Sequence, residues 1–382
     1  MRIALLLSAA LLLGGCGMFE VDNTEPPAEL TDIETRLNVE RQWSRNATAG
    51  SGDDYIALRP ALHDGVLYVA DAKGGVAAHE AGSGRERWSV SLGTPLTGGV
   101  SVGDDVVVVG SGRGEVIGLR RSSGQELWRE RVSSEVLALS AIDLDVVVAR
   151  TNDGRLHALA AGSGETLWQA GRTTPALSLR GAGRPLMAFG AVIAGFDNGK
   201  LAAFSLERGS TLWETTIAAP SGQSELDRMV DLDGDMVLVG ETLYAATYQG
   251  RVVALNLRDG RILWGRDLSS YAGLAADARH VYVSDEVGAV WALERESGAP
   301  MWRQEKLRLR AVTAPASFGD TVVVGDYEGY LHFLRQSDGE FVARIRVDGS
   351  GLRVPPLVAE DVLYVYGLGG QLSALTTGER SE

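Results

Sequence analysis

Short apolar, β-branched runs recur along the chain, each closed by glycine and small polar residues, and a helical period is nearly absent. Such punctuation predicts short strands joined by tight turns. The runs are also copies of one another. One unit reads Val106-Val107-Val108-Val109-Gly110-Ser111-Gly112-Arg113-Gly114-Glu115-Val116-Ile117-Gly118-Leu119, followed by Ser122-Ser123-Gly124-Gln125-Glu126-Leu127-Trp128. Its turn glycine, Gly114, stands fourteen residues before Trp128. The same offset separates Gly74 from Trp88, Gly154 from Trp168, Gly199 from Trp213, Gly250 from Trp264 and Gly288 from Trp302. A fixed offset met six times marks an internal repeat.

Two further units are degenerate. Gly329 opens a seventh, with Ala343 in the tryptophan slot, and Gly370 opens an eighth that has no tryptophan strand after it. The missing strand has a counterpart near the other end, in Val39-Glu40-Arg41-Gln42-Trp43, which no glycine hairpin precedes. A four-stranded sheet with two apolar faces cannot bury both by itself, so repeats of this kind stack radially around a channel. The expected fold is all-β: an eight-bladed β-propeller of four-stranded antiparallel blades over residues 39–382. Pairing of the N-terminal strand with the C-terminal blade would close the ring and leave no open blade edge.

The leader changes the picture of where such a ring works. Arg2 is followed by the apolar run Ile3 to Leu13, too short to cross a bilayer as a helix. The run suits a secretory signal peptide at 1–15. Leu13-Gly14-Gly15-Cys16 looks like a bacterial lipobox, which makes Cys16 the expected lipidation site and a membrane contact through its acyl chains. Gly17 rather than aspartate follows, which in Gram-negative lipoproteins implies export to the outer membrane, facing the periplasm. Residues 16–38 read as a lipidated N-terminus and flexible tether. Cys16 is the single cysteine, so the body holds no internal disulfide and its stability must come from burial. The net charge of −14 opposes nucleic acid.

The motif Gly-x-[Leu/Val]-x-Ala-Leu-x-x-x-x-Gly-x-x-x-Trp, clear from Gly154 to Trp168 and from Gly250 to Trp264, resembles the PQQ-type propeller repeat over roughly residues 39–378. That repeat serves enzymes and scaffolds alike, so it speaks for the fold and little for function. A quinone-dependent dehydrogenase is disfavoured, because the adjacent-cysteine disulfide of many such enzymes is impossible here. No calcium-binding carboxylate set stands out either. Trp291, outside the repeat slot, is expected to pack or lie at the surface. Gly99-Val100-Ser101-Val102-Gly103 matches a nucleophile elbow but falls within an inner strand, where that chemistry has no strand-to-helix turn. Asp231-Leu232-Asp233-Gly234-Asp235 starts like a calcium loop, yet Met236 and Thr242 occupy the positions that need glycine and glutamate. His157 and His332 share one repeat slot, which points to architecture. No cofactor, metal or catalytic residue is expected.

Function is better sought where the repeat is broken. Tryptophan spacing is 40 residues from Trp88 to Trp128 and again to Trp168, then 45 to Trp213, 51 to Trp264 and 38 to Trp302. The additions fall in two successive connections, Arg172 to Pro185 and Ala218 to Asp235. They carry Leu177-Ser178-Leu179-Arg180 and Leu226-Asp227-Arg228 with Asp231-Leu232-Asp233. Apolar residues beside charges of both signs suit a protein-binding patch. The alternative is that the leucines join the core and the charges pair locally, and spacing leaves both open.

A lipobox, an acidic tether and an eight-unit propeller with Leu-Ser-Leu-Arg-Gly, then Leu-Asp-Arg-x-x-Asp-x-Asp, is similar to the BamB family. These are the propeller lipoproteins of the outer-membrane β-barrel assembly machinery. The resemblance implies a non-enzymatic assembly factor whose partner is the POTRA region of BamA, with unfolded outer-membrane proteins as further partners. It places the protein-binding contacts on Leu177, Leu179, Arg180, Asp231 and Asp233. A generic periplasmic propeller scaffold or ligand sensor is the runner-up, and the quinone enzyme comes third.

Overall fold

The computed structural model describes residues 25–52, 54–181 and 183–379. The expected signal peptide, Cys16 and the tether up to residue 24 lie outside the described residues. Eight sheets of four antiparallel strands follow one another around a ring, with no helix among the described residues. Blades 1 to 7 span 61–91, 96–131, 136–171, 186–216, 237–267, 274–304 and 316–346, each built in chain order from inner to outer strand. Gly99 to Val102 lie on the inner strand of blade 2 with Gly103 just after it, and Gly110 to Gly114 forms a hairpin turn, as expected.

The second and third strands of each blade are buried on both faces, which is why they read as continuous apolar runs. Their side chains form cores between blades. Tyr68, Val76 and Ala78 of blade 1 pack with Val107, Val109, Ile117 and Leu119 of blade 2 in one cluster. Adjacent blades thus bury one another's faces.

The repeated tryptophan fastens each junction. On the outer strand of one blade, the indole Nε1–H donates to a backbone carbonyl in the last turn of the next blade. Trp88 reaches Arg121 O at 2.8 Å, Trp128 reaches Ala161 O at 2.9 Å, and Trp168 reaches Leu206 O at 2.7 Å. Trp213, Trp264 and Trp302 do the same to Leu257, Arg295 and Gln336. The turn that receives the ring must carry glycine. A Cβ on Gly164 would stand 2.5 Å from Trp128 Cε3, and its φ of +78° also disfavours other residues. This contact accounts for the Gly-x-x-x-Trp spacing: each blade supplies the glycine for the preceding indole four residues before its own.

Blade 8 closes the ring with strands from both ends. Leu37–Asn46 pairs antiparallel with Gln371–Glu379, bringing Trp43 opposite Ala374, and the sheet continues through Val362–Tyr366 to Leu357–Ala359. Trp43 then donates to Ala81 O of blade 1 at 2.9 Å. The outer strand begins two residues before the expected Val39.

The described part of the expected tether is docked. Residues 25–36 lie along blades 6 and 7: Ala28 N–H donates to Arg308 O at 2.9 Å, Arg310 Nη1 to Ala28 O at 2.9 Å, and Arg344 Nη1 to Thr31 O at 3.0 Å. Leu30 and Ile33 pack on a buried cluster containing Val312, Val322 and Phe341, and Glu25 pairs with Arg308 at 2.7 Å. Acidic, proline-containing composition suggested a free leash, but it does not show the two apolar residues finding a groove beside the seventh blade.

Candidate functional site

Both enlarged connections lie on one rim, the first leading from blade 3 to blade 4 and the second from blade 4 to blade 5. They are stitched into one unit. Leu179 N–H donates to an Asp231 carboxylate oxygen across the two connections. Arg184 donates to Asp235 twice, from its backbone N–H and from Nε, each at 2.9 Å. Blade 3 holds the unit from below. Arg150 Nη1 donates to Gly183 O at 3.4 Å and Leu232 O at 3.3 Å, while its Nη2 meets Asp197 Oδ1 at 2.5 Å. Arg59, from the connection into blade 1, pairs with Asp235 at 3.3 Å.

Within this unit the five sequence-predicted residues separate into two layers. Leu177 is 39% exposed and offers an apolar surface. Leu179 and Arg180 are half-buried. Arg180 adopts φ +58°, and its guanidinium pairs with Glu135, at the entry to blade 3, and donates from Nη1 to Tyr55 O at 3.3 Å. Asp231 and Asp233 are buried beneath them. The structure thus leaves Leu177 exposed, above charges that are paired or enclosed locally.

The buried carboxyls have unusual electrostatics. Burial pushes Asp231 up to about 6, partly opposed by the Leu179 N–H bond. Asp233 is pushed to about 8, first by burial and then by the neighbouring Asp231 charge, with Arg150 pulling the other way. Neither Asp233 oxygen has a hydrogen-bond partner among the described residues. A buried carboxyl in that position favours its neutral form near neutral pH. Gly181 makes room for it, since a Cβ there would lie 1.4 Å from Asp233 Oδ1. Asp233, Leu179 and Arg180 line a cavity of about 190 Å³ at the ring's mouth, shared with Tyr55, Tyr271 and Tyr327.

Residues 221–228 form the outermost part of the second connection, all exposed. Asp227 N–H donates to Ser224 Oγ at 3.1 Å and Arg228 Nε to Gly222 O at 3.2 Å, so this turn holds its own shape. It presents Leu226, 64% exposed.

Sequence reasoning missed the supporting residues Arg150, Asp197, Glu135, Arg59 and Asp235. One signal was present: Arg150 sits in a strand slot that is Ala70 or Gly110 in blades 1 and 2, and a cation there needs a buried partner. The rest come together only through ring closure. Trp291 lies between the guanidinium groups of Arg303, 4.7 Å from the ring centroid, and Arg266, 5.8 Å away, and donates to Asp285 at 2.9 Å. Among the described residues no cluster of histidine, cysteine and carboxylate side chains could hold a metal ion.

An eight-bladed ring of PQQ-type repeats, with its broken repeats gathered on one rim, defines a propeller of the PQQ-repeat class. Within that class the chain belongs to the family of the outer membrane protein assembly factor BamB. The family model of that description, PQQ_2, matches residues 72–304 and 301–381. The outer membrane protein assembly factor BamB of Pseudomonas aeruginosa is 50% identical over 373 residues, covering 98% of both chains. The crystal structure of BamB from Moraxella catarrhalis superposes with a TM-score of 0.79 at 27% identity, covering 90% of this chain and 99% of that one. A quinohemoprotein alcohol dehydrogenase from Comamonas testosteroni also superposes, with TM-score 0.70 but 13% identity, over 90% of this chain and 77% of its own. That likeness shows the shared fold alone.

Proposed function

We propose that this chain is a non-catalytic assembly factor for outer-membrane β-barrel proteins, anchored to the outer membrane through lipid on Cys16 and facing the periplasm. It binds the POTRA region of BamA with the rim formed by residues 172–185 and 218–235. The observation that carries this reading is the clamped pair of connections. Leu177 stands exposed on a scaffold that Asp231, Asp235 and Arg150 hold in shape, and Leu226 on the adjoining turn that is bonded within itself. Apolar anchors on a preordered support lose little entropy on binding.

In this reading Leu177 touches the partner, whereas Asp231 and Asp233 act as positioning residues. The test measures affinity for the BamA POTRA domains and melting temperature on the same full-length variants. Leu177→Ala is expected to weaken binding about thirtyfold, the scale of a 2 kcal/mol hot spot, with melting unchanged. Asp231→Ala is expected to lower both, because it frees the Leu179 N–H. Wild-type affinity in Leu177→Ala and in Leu226→Ala would place the interface elsewhere on the ring.

A further inference from the structure

The outer strand of every blade is a sheet edge with a partner strand on one side only, and that of blade 7 is partly covered by residues 25–36. Exposed edges invite foreign strands, and natural proteins guard them with charges, prolines and bulges. All seven in-chain outer strands carry a bulge just before or at the tryptophan slot, for example between Ala158 and Leu159 opposite Trp168 and Thr166. Charges guard seven of the eight edges. Glu86 and Arg87 stand in blade 1, four charges in Glu126–Arg131 of blade 2, Glu214 in blade 4, and Arg266 with Asp267 in blade 5. Arg303 with Pro300 serves blade 6, Arg344 and Arg346 blade 7, and Glu40, Arg41 and Arg45 blade 8. Blade 3 shares the bulge but alone has no charge within its outer strand: Thr166–Gly171 reads Thr-Leu-Trp-Gln-Ala-Gly.

Its geometry suits strand addition. Arg172 N–H donates inward to Gly154 O at 3.1 Å, so by antiparallel alternation the backbone groups of Gln169 point outward. The Gln169 side chain is exposed, and Leu167 is 46% exposed beside it. The Gly171 carbonyl is partly occupied by Arg172 Nη1 at 2.9 Å, which sets the end of the available edge. The strand also runs directly into the connection that carries Leu177.

We propose that the outer strand of blade 3 is the place where an extended, uncharged segment of an unfolded barrel polypeptide adds to the propeller. This rests on the assembly reading above. Barrel strands alternate apolar and polar residues, with charge disfavoured on their lipid face. Laying such a strand on a charged edge would desolvate a charge without a partner, whereas Thr166–Gly171 avoids that cost. Backbone hydrogen bonds would supply the affinity, and Leu167 an apolar neighbour.

The test uses full-length protein and a blocked, fluorescently labelled ten-residue peptide alternating valine and threonine, with binding followed by anisotropy. Gln169→Pro removes an outward N–H, a position where an edge tolerates proline, and Gln169→Lys restores a charge guard. Each is expected to weaken binding at least tenfold, while Ser89→Pro, one residue beyond Trp88 in blade 1, leaves it unchanged. A peptide N-methylated at alternate amides is expected not to bind. Melting curves accompany each variant, and if proline unfolds the blade, the lysine variant decides. Wild-type binding by Gln169→Lys, equal loss in Ser89→Pro, or undiminished binding of the methylated peptide would overturn the proposal. POTRA affinity, measured on the same proteins, is expected to be unchanged in both Gln169 variants. Its absence in the wild type would sink the assembly reading without touching the peptide result.

Discussion

Seven blade junctions are fastened by a tryptophan, while the junction from blade 7 to blade 8 has Ala343 in that slot. At the seven, an indole lies over a glycine turn and donates to a carbonyl beside it. That turn joins the third strand of the receiving blade to its outer strand. Among the described residues blade 8 has no such turn, because its third strand, Gln371–Glu379, pairs with an outer strand from the other end of the chain. A tryptophan at 343 would have neither glycine nor carbonyl to meet. The lapse in the repeat therefore follows from closure. At this junction the N-terminal segment is the fastener instead: Arg36 N–H donates to Val342 O at 2.8 Å, Arg41 Nη2 reaches Arg346 O at 2.6 Å, and Leu37 and Val39 join the cluster around Ala343.

The largest expected effect comes from removing that fastener. Deleting residues 1–45 takes away most of the outer strand of blade 8, the Trp43 contact and the segment docked along blade 7. The truncated chain should melt far below the intact protein, or fail to fold. Deleting only 17–30 should cost much less, since the strand pairing from Leu37 survives. Differential scanning calorimetry on both would break the comparison if the two deletions melted alike.

The next contrast sets a fastened junction against the open one. Trp168→Ala should cost about 3–5 kcal/mol, the usual loss for a large buried aromatic, and would leave the Leu206 carbonyl without its donor. Ala343→Trp, restoring the repeat in sequence, should not stabilise the protein. Ala343 is buried in a cluster with Val342, Val347 and Leu352, where an indole's added volume would overpack the core. A stabilised Ala343→Trp in urea unfolding would show that the missing turn is not the reason for the alanine.

The same contrast explains what could be read before the fold was seen. The repeat offset, the blade count and the closing strand were legible because they depend on local spacing and on a strand left unpaired at each end. The rim was legible as two enlarged connections, since insertions stand out against a period. Its inner architecture was not. Leu179 and Asp231 are 52 residues apart. Arg180 meets Glu135 and the Tyr55 carbonyl only because the ring brings blade 3 and the N-terminal connection to one mouth. A pattern of charges in a loop does not distinguish an aspartate facing a partner from one enclosed beneath a leucine. Burial decides that, and burial belongs to the closed ring.

The smallest expected effect is also the most specific to the rim. Asp233 has a folded pKa near 8 against an ordinary value of 3.8, raised mainly by burial. Between those values the folded state holds a proton that the unfolded state has released, so stability falls as pH rises. The contribution is fully present below about pH 4 and is lost as pH climbs through about 8. Asp231, raised to about 6, adds a similar but narrower loss between its ordinary value and about 6. Asp233→Asn carries no titrating proton and keeps the shape beside Gly181. It should flatten the decline in melting temperature between pH 5 and pH 9 and melt higher than the wild type at the alkaline end. Asn198→Asp, which adds a titrating carboxyl in an ordinary turn, serves as the reference for a change of one charge. If Asp233→Asn followed the wild-type profile unchanged, the carboxyl would be ionised and solvated at the mouth. It would then face a partner as a charge rather than support Leu177 from below.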